Sequence, residues 1–134
     1  MAMAALVGLA ITACSTEDLG FSESNLYGYW LEDGTQHYVR FTDSRKSDEY
    51  QLGYEWDEAD EITEEDVSGN QEGNGWFKWQ FTSKTGDLRE INLMDNDGSE
   101  IPKSYVVTKL TETELNYYEK NQKNNKFSFK KVVR

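Results

Sequence analysis

At 134 residues the chain has room for one modest domain. Its formal net charge of −11, with 25 carboxylates against 14 basic side chains, makes nucleic acid a poor partner, because phosphate binding draws its affinity from Lys and Arg. The same acidity argues against a polybasic membrane patch, and a single cysteine leaves no internal disulfide. Packing must therefore stabilise the domain, and four Trp, eight Tyr and six Phe can supply it.

Residues 1–13 carry no charge and are dominated by Ala, Leu, Val, Ile and Gly. An apolar run of about ten residues is too short to span a bilayer as a helix. It suits a signal-peptide core followed by small residues at a cleavage site. The run ends in Ile11-Thr12-Ala13-Cys14, before the polar Ser15-Thr16-Glu17-Asp18. This pattern resembles a bacterial lipobox, in which the cysteine becomes the lipid-bearing first residue of the mature protein. It implies lipidation at Cys14, a tether over 14–24, a domain over 25–134 and membrane contact through the lipid alone. Met1-Ala2-Met3 lacks the Lys or Arg that normally opens a signal peptide, so the expected start lies upstream. The competing reading is a buried N-terminal strand or helix with a chance cysteine.

From Leu26 onward the hydrophobic period is two. Trp76-Phe77-Lys78-Trp79-Gln80-Phe81 is the clearest case, with Phe77, Trp79 and Phe81 on one face and Lys78 and Gln80 on the other. Similar runs predict strands near 26–32, 35–41, 49–56, 75–82, 88–94, 103–110, 114–119 and 126–132. Asp33-Gly34 reads as a hairpin turn, and 83–87, 95–98 and 121–125 as longer ones. The expected fold class is all-β: about eight antiparallel strands in an up-and-down meander, closing into a small barrel that removes exposed edges. A two-sheet sandwich is the alternative.

One segment breaks the rhythm. Residues 57–66 read DEADEITEED, acidic at Asp57, Glu58, Asp60, Glu61, Glu64, Glu65 and Asp66, with no basic residue. A loop-like stretch follows to Asn74. The whole is an insertion between the third and fourth strands with room for one helical turn, and such long loops are commonly functional. Basic residues gather at the other end of the chain: Lys120, Lys123, Lys126, Lys130, Lys131 and Arg134.

Gly28-x-Trp30 on the first strand resembles the Gly-x-Trp signature of lipocalins. With Tyr38–Thr42, Tyr105–Thr111, Leu115 and Phe127-x-Phe129-Lys130-Lys131-Val132, residues 24–132 are similar to the lipocalin-like domain of Bacteroidetes lipoproteins. The resemblance implies a barrel whose Trp closes one end near a basic residue from a late strand. The acidic residues after Cys14 also resemble that phylum's surface-export signal, which implies an outer-membrane, surface-exposed lipoprotein. No second or third lipocalin signature is present, so the resemblance implies an architecture more than an activity.

Catalytic and metal signatures are weak. His37 is the lone histidine, and no carboxylate spacing marks a glycosidase pair. The expectation is a non-enzymatic protein without cofactor or metal. Asp95-Asn96-Asp97-Gly98-Ser99-Glu100 resembles the start of a calcium loop, though a polar hairpin turn explains it as well. Aromatics are the sharper feature: Tyr27, Tyr29, Tyr50, Tyr54, Trp56, Trp76, Tyr117 and Tyr118 are too many for one small core beside Phe77, Trp79 and Phe81. Tyr54, Trp56, Trp76 and Tyr117 are therefore candidate ligand-binding residues, with strand-surface pairing as the plainer account. Three functions are expected in turn. The first is binding of a small apolar or amphipathic ligand in the open end of the barrel. The second is docking of a basic protein partner on 57–66. The third is glycan binding by exposed aromatics.

Overall fold

The period-two pattern closes into an antiparallel barrel in the computed structural model, which describes residues 20–71, 73–93 and 102–134. Its strands are β1 (Gly28–Glu32), β2 (His37–Arg45), β3 (Gln51–Asp57), β4 (Trp76–Thr82), β5 (Asp87–Asn92), β6 (Lys103–Leu110), β7 (Glu114–Glu119) and β8 (Gln122–Val132). Each pairs with the next, and the ladder between β1 and β8 closes the ring, with Tyr29 opposite Val132 and Glu32 opposite Phe129. That ladder selects the barrel over the sandwich, because no strand is left with an open edge.

Two strand limits differ from expectation. β2 runs on to Arg45, with an irregularity between Phe41 and Arg45 opposite β3. β8 begins at Gln122, inside the polar run taken for a turn; Tyr118 faces Lys126 while Glu119 faces Gln122, so a bulge absorbs the intervening residues. Residues 122–126 are exposed on both faces, and a strand wetted on both faces has no alternation to reveal it. Met94 and the 95–100 loop lie outside the described residues.

Strand register fixes which side chains face inward. Trp30 opposite Val39, and Gly28 opposite Phe41, set the inner rows of β1 and β2. Gly53 opposite Phe77 does the same for β3 and β4. A Cβ at Gly53 would lie 2.6 Å from the Phe77 ring, so glycine there makes room for that ring. The interior is filled by Trp30, Phe41, Phe77, Trp79, Leu88, Val107, Leu115 and Phe129. Most barrels of eight strands are just wide enough for such filling.

One end of the barrel is sealed. A short 3-10 turn, Glu23–Asn25, leads into the fully buried Leu26, and Phe21 packs its ring against Phe81 at 6.3 Å. Phe21 thus packs on the barrel from within the segment expected to be tether. Trp30, also fully buried, donates from Nε1 to the Leu26 carbonyl at 2.8 Å. Lys131 lies opposite Trp30, with Nζ 4.6 Å from the ring. It donates to the carbonyls of Asn25 and Tyr27 at 2.9 and 2.8 Å. Burial pushes this ammonium below its usual pKa.

The aromatic surplus is accommodated outside the barrel. Leu52, Tyr54, Trp56 and Trp76, on the outer rows of β3 and β4, form a second core with Val67, flanked by Tyr29 and Tyr38. Val67 comes from α1 (Glu64–Ser68), the one helical turn in the acidic insertion. Thr63 and Asp66 start that helix with a reciprocal capping box.

Candidate functional site

The end opposite Trp30 is lined differently. Inward positions there are Glu32 on β1, His37 on β2, Glu55 on β3, Glu90 on β5, and Lys103 and Tyr105 on β6, with Tyr117, Phe127 and Phe129 from β7 and β8. They enclose a cavity of about 200 Å³. Water reaches it past His37 and Glu55, whose side chains are 26% and 34% exposed. The floor continues into the apolar core through Val39 and Phe129.

His37 Nε2 is 2.8 Å from Glu55 Oε1, and Nδ1 is 3.8 Å from Asp57 Oδ2. The hydrogen bond to Glu55 raises the imidazole pKa against the opposing effect of burial. Glu90 is 9% exposed, and its Oε2 has no hydrogen-bond partner. Burial, with the Glu55 charge adding, pushes this carboxyl up to about 8, while Lys103 acts in the opposite sense. At neutral pH Glu90 is therefore mostly a neutral acid. Tyr105 and Tyr117 pack with tilted rings at 4.7 Å between ring centres, and burial raises both phenols. The mouth thus combines flat aromatic walls, a His–Glu pair at the rim and one buried acid without a partner.

The four expected ligand-binding aromatics are not together. Tyr117 lines the mouth. Tyr54, Trp56 and Trp76 belong to the outer core, at 1%, 3% and 6% exposure. Trp76 donates from Nε1 to the Val67 carbonyl at 2.8 Å, so α1 covers it. Trp30 and Trp79 are fully buried, and no tryptophan offers an exposed stacking face. Tyr54 and Trp76 do border a surface groove of about 380 Å³ beside α1, shared with Tyr29 and Arg40.

The acidic segment is tied down at several points. Glu64 Oε2 accepts from the Tyr29 and Tyr54 hydroxyls at 2.7 and 2.5 Å, and lies 4.0 Å from Arg40. Arg134 reaches both Glu58, at 3.3 Å, and Glu64, at 3.8 Å, while its guanidinium stacks over Tyr38. Asp57 caps the 3-10 turn Glu58–Asp60 that follows it, and Asp66, inside α1, accepts from the Thr63 backbone N–H. Asp60, Glu61 and Glu65 remain on the surface. Of the late basic block, Arg134 meets this segment, Lys130 pairs with Asp33 and Glu114, and Lys131 enters the barrel. Glu64→Ala should leave the Tyr29 and Tyr54 hydroxyls without their shared acceptor and Arg40 without its neighbouring carboxylate, costing about 2 kcal/mol. Denaturant unfolding would read that loss, and a change under about 0.5 kcal/mol, the scale of a plain surface substitution, would contradict it.

Among the described residues no group of three or more His, Cys, Asp or Glu side chains is arranged to hold a metal ion. No helix among them is long and apolar enough to cross a membrane. Cys14 and the 95–100 loop lie outside the described residues.

Glu90 was missed by sequence reasoning, along with Glu32, Glu55, Lys103 and Tyr105. A signal existed for Glu90: it sits two residues after Leu88 in a strand, so it shares that side chain's inner face. No family model, curated protein or solved structure matches the chain.

Proposed function

We propose that the protein is a lipid-anchored envelope lipoprotein with a lipocalin-like barrel, whose open end binds a small apolar or amphipathic molecule without catalysing a reaction. The observation that carries this reading is the contrast between the two ends. One end is stoppered by Leu26, Trp30 and Lys131. The other holds a cavity of about 200 Å³ in which the rings of Tyr105, Tyr117, Phe127 and Phe129 stand beside the polar side chains of Glu32, His37, Glu55, Glu90 and Lys103. Small-molecule pockets are concave sites in which placed polar groups orient a ligand against apolar walls. The cavity is smaller than the ~300–1,000 Å³ typical of drug-sized ligands, which suits a compact ligand. The Trp30–Lys131 contact also fits the tryptophan and late basic residue that the lipocalin resemblance implies. Anchoring through Cys14, and an outer-membrane, surface-facing location, rest on the sequence pattern at 11–18.

Titration of the full chain with the neutral fluorescent probe N-phenyl-1-naphthylamine tests the binding role. Enhanced emission saturating at one probe per chain is expected, with displacement by extracts of the protein's own envelope. Absence of any enhancement, together with a clean mass in native mass spectrometry of protein isolated from that envelope, would defeat the reading. Intact-mass analysis of the membrane-expressed protein checks the anchor. Residues 1–13 should be gone and Cys14 should carry acyl chains; an unmodified Cys14 with 1–13 attached would overturn it.

A further inference from the structure

Among the described residues Glu90 carries the one buried side-chain oxygen without a hydrogen-bond partner, Oε2; the residue faces inward, is 9% exposed and lines a cavity that has room for a ligand. A buried carboxyl normally has its acceptors filled, because an unmet acceptor costs about 1–3 kcal/mol. An inward glutamate left without a partner beside a cavity is most simply an acceptor reserved for a molecule that is not part of the chain.

The surroundings specify the charge of that molecule. Facing Glu90 across the mouth are Glu32 from β1, His37 from β2, Glu55 from β3, Lys103 and Tyr105 from β6, and Tyr117 from β7. His37 is already engaged with Glu55 and Asp57. Lys103 is exposed, lies directly opposite Glu90 in register and lines the rim of the cavity. An anionic ligand would meet three carboxyl groups against the single ammonium of Lys103. A cation would meet those carboxyls beside the rings of Tyr105, Tyr117, Phe127 and Phe129, and aromatic quadrupoles attract positive charge.

Resting on the reading of the open end as a ligand site, we infer that the ligand is a small organic ammonium with a compact apolar or aromatic body, its cationic head held by Glu90 and Glu55. Binding then has a definite proton balance. The neutral Glu90 acid loses its proton to solvent, and the resulting carboxylate pairs with the incoming ammonium, which keeps its own protons. One proton is released per ligand bound wherever the empty site is protonated. Affinity must therefore rise with pH until Glu90 ionises unaided, approaching tenfold per pH unit.

The test is calorimetric titration of the full chain at pH 6, 7 and 8 with three probes of one shape: 2-phenylethylammonium, 2-phenylethanol and 3-phenylpropionate. The ammonium is expected to bind at least about tenfold more tightly than the alcohol at pH 8, a difference worth ~1.4 kcal/mol, and the carboxylate least. Ammonium affinity should climb roughly tenfold per pH unit from pH 6 to pH 7 and less steeply beyond, with proton release visible as a buffer-dependent heat. Glu90→Gln should abolish both the slope and the preference. Glu55→Gln, at the more exposed rim, should weaken ammonium binding while keeping the slope, which guards against a Glu90 variant that misfolds. Equal affinity for ammonium and alcohol, or a flat pH profile in the unaltered protein, overturns the cation inference and leaves the open-end site standing. The same holds if the naphthylamine probe binds but the ammonium does not. If neither the naphthylamine probe nor any of the three ligands binds, the site itself is refuted.

Discussion

Replacing Glu90 by glutamine is expected to remove most of the loss of stability that the protein suffers between pH 5 and pH 8. The folded carboxyl titrates at about 8 rather than at its ordinary 4.5. Between those values the unfolded chain has released its proton and the folded chain has not, so raising the pH favours unfolding. The contribution is fully present below pH 4.5 and is lost as the pH climbs to about 8, amounting to a few kcal/mol at ~1.4 per pH unit. Urea midpoints measured from pH 5 to 9 should fall steadily for the unaltered protein. For Glu90→Gln they should stay much flatter, with near-equal stability at pH 5 and the variant ahead above pH 8. His37 works in the same direction, since its raised pKa gives stability that disappears as the pH passes its folded value. The difference between the two proteins isolates Glu90. Parallel profiles would mean that Glu90 is solvated in the folded state.

Truncating Trp30 to alanine should cost about 4 kcal/mol, within the range for buried aromatic-to-alanine changes and a large share of the ~5–15 kcal/mol that holds a domain of this size together. Trp30 is fully buried at the sealed end, its indole nitrogen bonds the Leu26 carbonyl, and its ring carries the Lys131 ammonium. The alanine variant leaves that partly desolvated ammonium facing a void and removes the donor from a buried carbonyl. Trp30→Phe should restore much of the packing but not the hydrogen bond, costing roughly 1–2 kcal/mol. Equilibrium denaturation of both variants checks the order. A loss under 1 kcal/mol for Trp30→Ala would show that the stopper is dispensable. Both variants leave the open end untouched, so a folded Trp30→Phe protein should bind the naphthylamine probe with unchanged affinity.

Much of this barrel is legible in the chain because an antiparallel strand with one wet face writes its sidedness directly into the sequence. Phe77, Trp79 and Phe81 alternate with Lys78 and Gln80, and the inner and outer rows of β4 follow. The limits that failed are those where alternation stops. β8 starts among Gln122–Asn125, polar on both faces at the edge of the mouth, and nothing local distinguishes such a strand from a loop. The helical turn in the acidic insertion was legible only as room for one; the capping box of Thr63 and Asp66 that starts it emerged from the structure.

The candidate site was much less legible. Tyr54, Trp56 and Trp76 attract notice as surplus aromatics, yet they form a dry outer core because α1 folds back and lays Val67 over them. Whether an outward aromatic is a binding face or a packing face depends on what covers it, and that element lies in a different segment of the chain. Similarly, Arg134 finds Glu58 and Glu64 only because β8 returns beside β1 and closes the ring.

The sequence by itself determined the strand content, the inner face of most strands and the acidic insertion with its turn of helix. These are local: period, turn chemistry and composition act within a few residues. Only the tertiary structure decided that the sheet closes on itself, that Trp30 meets Lys131 at one end, and that His37, Glu55, Glu90 and Tyr117 meet at the other. Those encounters join residues tens of positions apart. Ring closure sets them, because it brings every strand's inner row to a common axis. The same closure strips water from Glu90 and gives an ordinary glutamate its unusual protonation.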